Sequence, residues 1–201
     1  MKLQKQVWNN IAKEWTEFRE KPIKEFQDFL KKQTGNVLDL GGGSGRHLVK
    51  LKKGKIYLVD FSNEMIKLAK KKAKEKNIDA EFFVCNMEKI PFGNDFFDCA
   101  ICIDSLHCVE EEEKREKTIL ELFRVLKPRA QAMVSVWNKN SKRFKNSSKE
   151  KFVNWRSKGE RYYYLYDKDE IYALFEKAGF KITKRFKSDL KIMFVVEKRL
   201  I

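Results

Sequence analysis

No apolar run in this 201-residue chain outlasts a β-strand, which excludes a membrane-spanning helix. The opening residues, Met1-Lys2-Leu3-Gln4-Lys5-Gln6, put no apolar stretch behind their charges, so no secretory leader is expected and the protein is expected in the cytoplasm. Histidine is scarce, with only His47 and His107 present. Of the four cysteines (Cys85, Cys99, Cys102 and Cys108), Cys99 and Cys102 have a zinc-like spacing but fall inside a strand-like apolar run. Side chains three apart on a strand point to opposite faces and cannot share a metal. Buried, reduced thiols and no metal site are expected. Two phosphate-binding signatures are also missing. A P-loop needs lysine and then serine or threonine after its last glycine, whereas Gly45 is followed by Arg46 and His47. A nicotinamide fingerprint counted from Gly41 needs its third glycine where Arg46 stands.

What is present is an apolar strand running into a glycine-dense turn, Val37-Leu38-Asp39-Leu40-Gly41-Gly42-Gly43-Ser44-Gly45. A second strand, Tyr57-Leu58-Val59-Asp60, ends on a carboxylate at the distance expected for an acid that accepts ribose hydroxyls. Around this pair the chain alternates. Strands are expected at 36–40, 55–60, 80–85, 97–103 and 130–137, and helices at 46–51, 63–76 and 111–125. Val7, Trp8, Ile11, Ala12, Trp15 and Phe18 recur at helical spacing, and Pro22 separates that helix from a second one carrying Ile23, Phe26, Phe29 and Leu30. Asp167-x-x-Glu170 reads as a capping box, Gly179 as the stop of the helix it opens, and 180–187 with 191–198 as a closing hairpin. The acidic run 110–113 suits a helix N-terminus and needs no other explanation. One domain over 1–201 is expected, with a helical extension over 1–33 and a mostly parallel seven-stranded sheet covered by helices on both faces.

Charge is lopsided: 44 lysines and arginines face 29 acids, a formal excess of +15. Between 139 and 161 nine residues are basic and two acidic. That concentration favours a polyanionic partner such as nucleic acid, although a lysine-rich surface alone also explains an overall excess. The segment 138–161 reads as a basic inserted loop beside the ligand crevice, acting as a substrate gate.

The pattern D-x-G-x-G-x-G (Asp39, Gly41, Gly43, Gly45) resembles motif I of the class I S-adenosylmethionine methyltransferases. Phe97-Asp98-Cys99-Ala100 through Leu106-His107-Cys108-Val109 resembles their motif IV region, and Leu126-Lys127-Pro128-Arg129-Ala130 their L-K-P-G-G turn without its glycines. The resemblance implies a Rossmann-like methyltransferase fold and S-adenosylmethionine as cofactor. Asp39 would face the ligand's ammonium group, Asp60 its ribose, and Asn86 its adenine in place of the usual acid. Phe61, Met87 and Ile103 are implied to complete that site. Bare backbone at Gly41 and Gly43 would leave room for the methionine portion.

Two further stretches narrow the match. Trp8-Asn9-Asn10-Ile11-Ala12 through Phe18-Arg19-Glu20-Lys21-Pro22, and Arg161-Tyr162-Tyr163-Tyr164-Leu165-Tyr166, resemble the tRNA wobble-uridine carboxymethyl methyltransferases. This resemblance implies methyl esterification of the carboxylate of 5-carboxymethyluridine in tRNA, with a small zinc-binding activator subunit paired to a sheet edge. Arg19 and Arg161 are the candidate carboxylate clamps, because arginine forks match carboxylates, and His107 is the candidate neighbour of the transferring methyl. Tyr163 and Tyr164 are candidates to stack on a splayed base or, at strand spacing, to pack in the core. A small-molecule O- or N-methyltransferase and a noncatalytic RNA-binding module with this fold stand as alternatives.

Overall fold

The computed structural model describes residues 4–200. A seven-stranded sheet has the order β3-β2-β1-β4-β5-β9-β8. Its strands are β1 (Gly35–Leu40), β2 (Gly54–Asp60), β3 (Ala80–Val84), β4 (Phe97–Ile103), β5 (Leu126–Trp137), β8 (Phe180–Phe186) and β9 (Lys191–Lys198). The first five run parallel; β9 pairs antiparallel with both β5 and β8, so the expected closing hairpin is present. This is the expected α/β architecture. The order reverses between β1 and β4, the place where doubly wound sheets open a crevice at the carboxyl ends of their strands.

Burial on both faces explains why the central strands are nearly continuous in apolar residues. On β4, Ala100 and Cys102 enter a core shared with α4 (Glu112–Val125) and α5 (Lys168–Lys177). Cys99 and Ile101 enter the opposite core with α2 (Lys24–Leu30) and α3 (Asn63–Glu75). The two cysteines therefore do face opposite sides of the sheet. The Ser62 hydroxyl caps α3 by accepting from the Met65 amide (3.2 Å), and the Asp167 amide donates to the Glu170 carboxylate (3.2 Å) at the start of α5.

The helix α1 (Gln4–Phe18) lies across α3: Trp8, Ile11 and Ala12 pack on Met65. The Asn9 carboxamide oxygen accepts from the Ser62 hydroxyl (2.7 Å) and the Glu64 amide (3.3 Å), fastening α1 to the α3 N-terminus. Phe18 does not join this apolar face; it is 65% exposed.

Two expectations are corrected. Residues 46–51 form turns and open chain, with no helix. Gly43 and Gly45 both take positive φ (54° and 70°), and the side chains beyond them are engaged elsewhere. Arg46 Nε donates to the Lys21 carbonyl (2.7 Å), and His47 Nε2 accepts from the Ile23 amide (3.3 Å). The segment 138–161 is not a plain loop either. It contains β6 (Glu150–Asn154), which pairs with β7 (Glu160–Tyr164) as a separate antiparallel hairpin. That hairpin is clasped to α1: Trp155 Nε1 donates to the Glu14 carboxylate at 2.8 Å, and Arg156 and Lys158 pair with the same group.

Candidate active site

The glycine turn is held under β2. The amides of Gly41 and Gly42 both donate to the Val59 carbonyl (2.8 and 3.1 Å). The Gly43 amide donates to Asp60 Oδ2 (2.9 Å), and the Ser62 amide to Asp60 Oδ1 (2.8 Å). Each oxygen of Asp60 thus keeps a lone pair for a ligand. A Cβ on Gly42 would lie 2.6 Å from Asp39 and Leu58, and one on Gly41 2.4 Å from the Ser105 side chain. At Gly43 a Cβ would meet only Met65 Sδ at 3.9 Å and would otherwise project into open space.

That space is a cavity of about 410 Å³. Asp39, Gly41, Gly43, Asp60, Phe61, Asn86, Met87 and Ile103 all line it. Trp8 and Trp15 of α1, Arg19 just after its end, and His107 and Tyr163 also line it. Burial, and then the neighbouring Asp60 carboxylate, pushes the Asp39 carboxyl up to about 7. Burial likewise lifts Asp60 to about 6, against the stabilising Ser62 and Gly43 amides. Two buried carboxylates without a cation form a site that gains by receiving positive charge.

At the other end of the cavity, His107 stacks on Trp137 (5.2 Å between centroids) and tilts against Tyr163 (5.4 Å). Burial pulls its pKa down to about 4, so the ring is neutral at pH 7, and its Nδ1 is buried without a protein partner. Beside it, Asp104 holds φ at +53°, accepts from the Ser135 hydroxyl (2.7 Å) and pairs with Lys191 of β9. Burial alone would raise Asp104; Lys191, followed by His107, outweighs it and holds the carboxyl below its usual range. Arg46 also reaches this cavity. The sequence reading missed Gly42, Arg46, Asp104 and Lys191; the unbroken Gly41-Gly42-Gly43 run was the signal for the first.

Three candidate residues are not on the lining. Gly45 serves packing, because a Cβ there would meet Leu48 at 2.4 Å and Ala69 at 3.3 Å. Tyr164 points away from Tyr163 by strand alternation; its hydroxyl donates to Glu170 (2.5 Å) and its ring lies under Arg115 (4.0 Å). Arg161 sits one layer behind the wall, 4.8 Å from the Trp15 ring and 4.9 Å from that of Trp155, and donates to the Tyr163 hydroxyl (2.5 Å). It braces the aromatic wall instead of clamping substrate directly.

A doubly wound sheet with a carboxylate-flanked glycine turn at its switch point and a cavity beside that turn defines an α/β protein that handles a nucleoside-bearing ligand. The chain belongs to the methyltransferase domain family, which matches residues 31–179. It is similar to the probable tRNA methyltransferase 9B of Mus musculus, with 28% identity over 151 residues, 74% of this chain and 32% of that protein. It is also similar to the ubiquinone/menaquinone biosynthesis C-methyltransferase UbiE of Yersinia pestis, with 33% identity over 110 residues, 51% of this chain and 43% of that protein. The chain thus spans less than half the length of these relatives. The fold is shared with the CcbJ methyltransferase of Streptomyces caelestis at a TM-score of 0.78 and 15% identity, covering 99% of this chain and 100% of that one. A methyltransferase structure from Methanosarcina mazei gives a TM-score of 0.72 at 22% identity, covering 90% of this chain and 100% of that one.

Proposed function

We propose that this methyltransferase uses S-adenosylmethionine to methyl-esterify the carboxylate of 5-carboxymethyluridine at the tRNA wobble position. One observation carries the reading: Arg19 and His107 open into the same cavity as Asp39 and Asp60. Carboxylates that suit a cation and an arginine that suits an anion therefore line one cavity. The similarity to the mouse tRNA methyltransferase and the basic excess of +15 support the tRNA substrate.

The residues present fit the cofactor. Asp60 offers two oxygens to a ribose diol, Asp39 faces an ammonium group, Asn86 offers an amide to adenine, and the bare edge of Gly43 leaves room for the chain between them. When bound, S-adenosylmethionine supplies an electrophilic sulfonium methyl. A substrate carboxylate is already ionised at pH 7, so the protein needs no general base. Its work is positioning and exclusion of water. Arg19 grips the carboxylate, the neutral His107 ring offers a hydrogen bond, and Trp8, Trp15 and Tyr163 close the space against solvent. The activator subunit implied by the resemblance is assigned to one of the two open sheet edges, β3 or β8.

The test offers tRNA bearing carboxymethyluridine together with methyl-labelled S-adenosylmethionine. Label should enter the tRNA and leave as methanol in mild alkali. Asp60→Ala should lose cofactor affinity and keep its fold. The second reading, a small-molecule methyltransferase, is favoured by the 33% identity to the UbiE enzyme. It wins if label enters small acceptors and never tRNA. A chain that binds tRNA but not the cofactor would be the noncatalytic module.

A further inference from the structure

Around the mouth of the cavity, α1 and the β6–β7 hairpin present a cluster of aromatic rings in which Phe18 and Trp155 have no part in the transfer chemistry. Trp15 lines the cavity, while Phe18, one turn further along α1, is 65% exposed. Trp155 on the hairpin tip stands edge-on to both, 5.4 Å from each ring centroid. The Arg19 guanidinium lies 5.4 Å from the Trp15 ring and 5.4 Å from the Phe18 ring. One exposed phenylalanine on a surface needs no explanation. This one is the outer end of an unbroken aromatic path that leads inward to the cavity, and a cation sits against it. On the facing tip Arg156 and Lys158 share the single Glu14 carboxylate, which leaves positive charge at the rim.

We infer that Phe18, flanked by Trp15 and Arg19, is a stacking platform for an unpaired nucleobase next to the one being methylated. The inference rests on the tRNA reading above and goes beyond it by assigning the surface that holds the loop open. Every base has a π-face, so such a platform grips a splayed loop whatever its sequence, and the rim cations meet the phosphates alongside. The platform puts base stacking at the end of α1, while Tyr164 of β7 is engaged by Glu170 and Arg115 and does not line the cavity.

A short RNA stem-loop carrying 2-aminopurine in its loop tests this. With the wild-type protein the probe should bind and its fluorescence should change on stacking. Phe18→Ala should weaken binding about tenfold and abolish that change. Phe18→Trp should restore both and Phe18→Leu neither, with S-adenosylmethionine affinity equal in all variants. Wild-type binding by Phe18→Leu would mean that apolar bulk suffices, and an equal fall in cofactor affinity would mean that Phe18 props the cavity; either result overturns the platform. Unchanged binding by Phe18→Ala overturns the platform alone, whereas no RNA binding by the wild type removes the tRNA reading with it.

Discussion

Asp39 and Asp60 govern the pH behaviour of the cavity. An Asp39 carboxyl raised to about 7 in the folded chain stays protonated where the unfolded chain, near the ordinary value of 3.8, has lost its proton. The folded state then binds more protons, so stability of the ligand-free protein should fall as pH rises from about 4 to 7. A cationic ligand prefers the ionised carboxylates, so its affinity should rise across the upper part of that window, with proton uptake by the buffer. Calorimetry in buffers of different ionisation enthalpy checks this, and Asp39→Asn should flatten both trends. Glycines adjacent in sequence should separate in behaviour. Gly43→Ala puts a methyl into open cavity at a backbone cost of about 1 kcal/mol, so the melting point should move by only a few degrees while cofactor affinity falls at least tenfold. Gly42→Ala drives its methyl against Asp39 and Leu58 and should cost more stability than Gly43→Ala in the same melting experiment.

Among the elements, the start of β5 departs most from its expected composition: the expected turn at 126–130 is strand, with a register irregularity opposite Phe97 and Cys99. Where the related pattern has glycine, Arg129 adopts φ of +65° and is exposed. Arg129→Gly should therefore stabilise the fold by about 1 kcal/mol, visible as a higher denaturation midpoint. The sheet was legible in the sequence because each core strand is a compact apolar run and periodicity reports burial directly. That Asp39, Gly41, Gly43 and Asp60 share one cavity was legible because they lie within two consecutive strands and the segment joining them. The missing helix at 46–51 was not, because the contacts of Arg46 and His47 come from Lys21 and Ile23, far back in the chain. The β6–β7 hairpin was hidden for another reason. Phe152 and Tyr162 pair across the two strands, but the basic, serine and asparagine residues of 138–161 read as solvated loop. Lys191 reaches Asp104 across 87 residues, a separation that no local pattern encodes.

Over the whole molecule, the described residues contain no helix long and apolar enough to cross a membrane, and the charge excess is +15. If that excess serves nucleic acid, tRNA affinity should fall linearly on a log–log plot against salt. The exposed cations Lys142, Arg143 and Lys145 give the check. Replacing all three by glutamine should make the slope shallower by about two units and leave cofactor affinity unchanged. The cavity is also assembled from unequal parts. Asp39, Asp60 and the glycine turn lie inside residues 31–179, which match the methyltransferase domain family, but Trp8, Trp15 and Arg19 come from before that region. Lys191, which neutralises Asp104, comes from after it. The wall that Trp8, Trp15 and Arg19 supply can therefore be exchanged without touching the region that carries Asp39 and Asp60, while His107 and Tyr163 stay with that region.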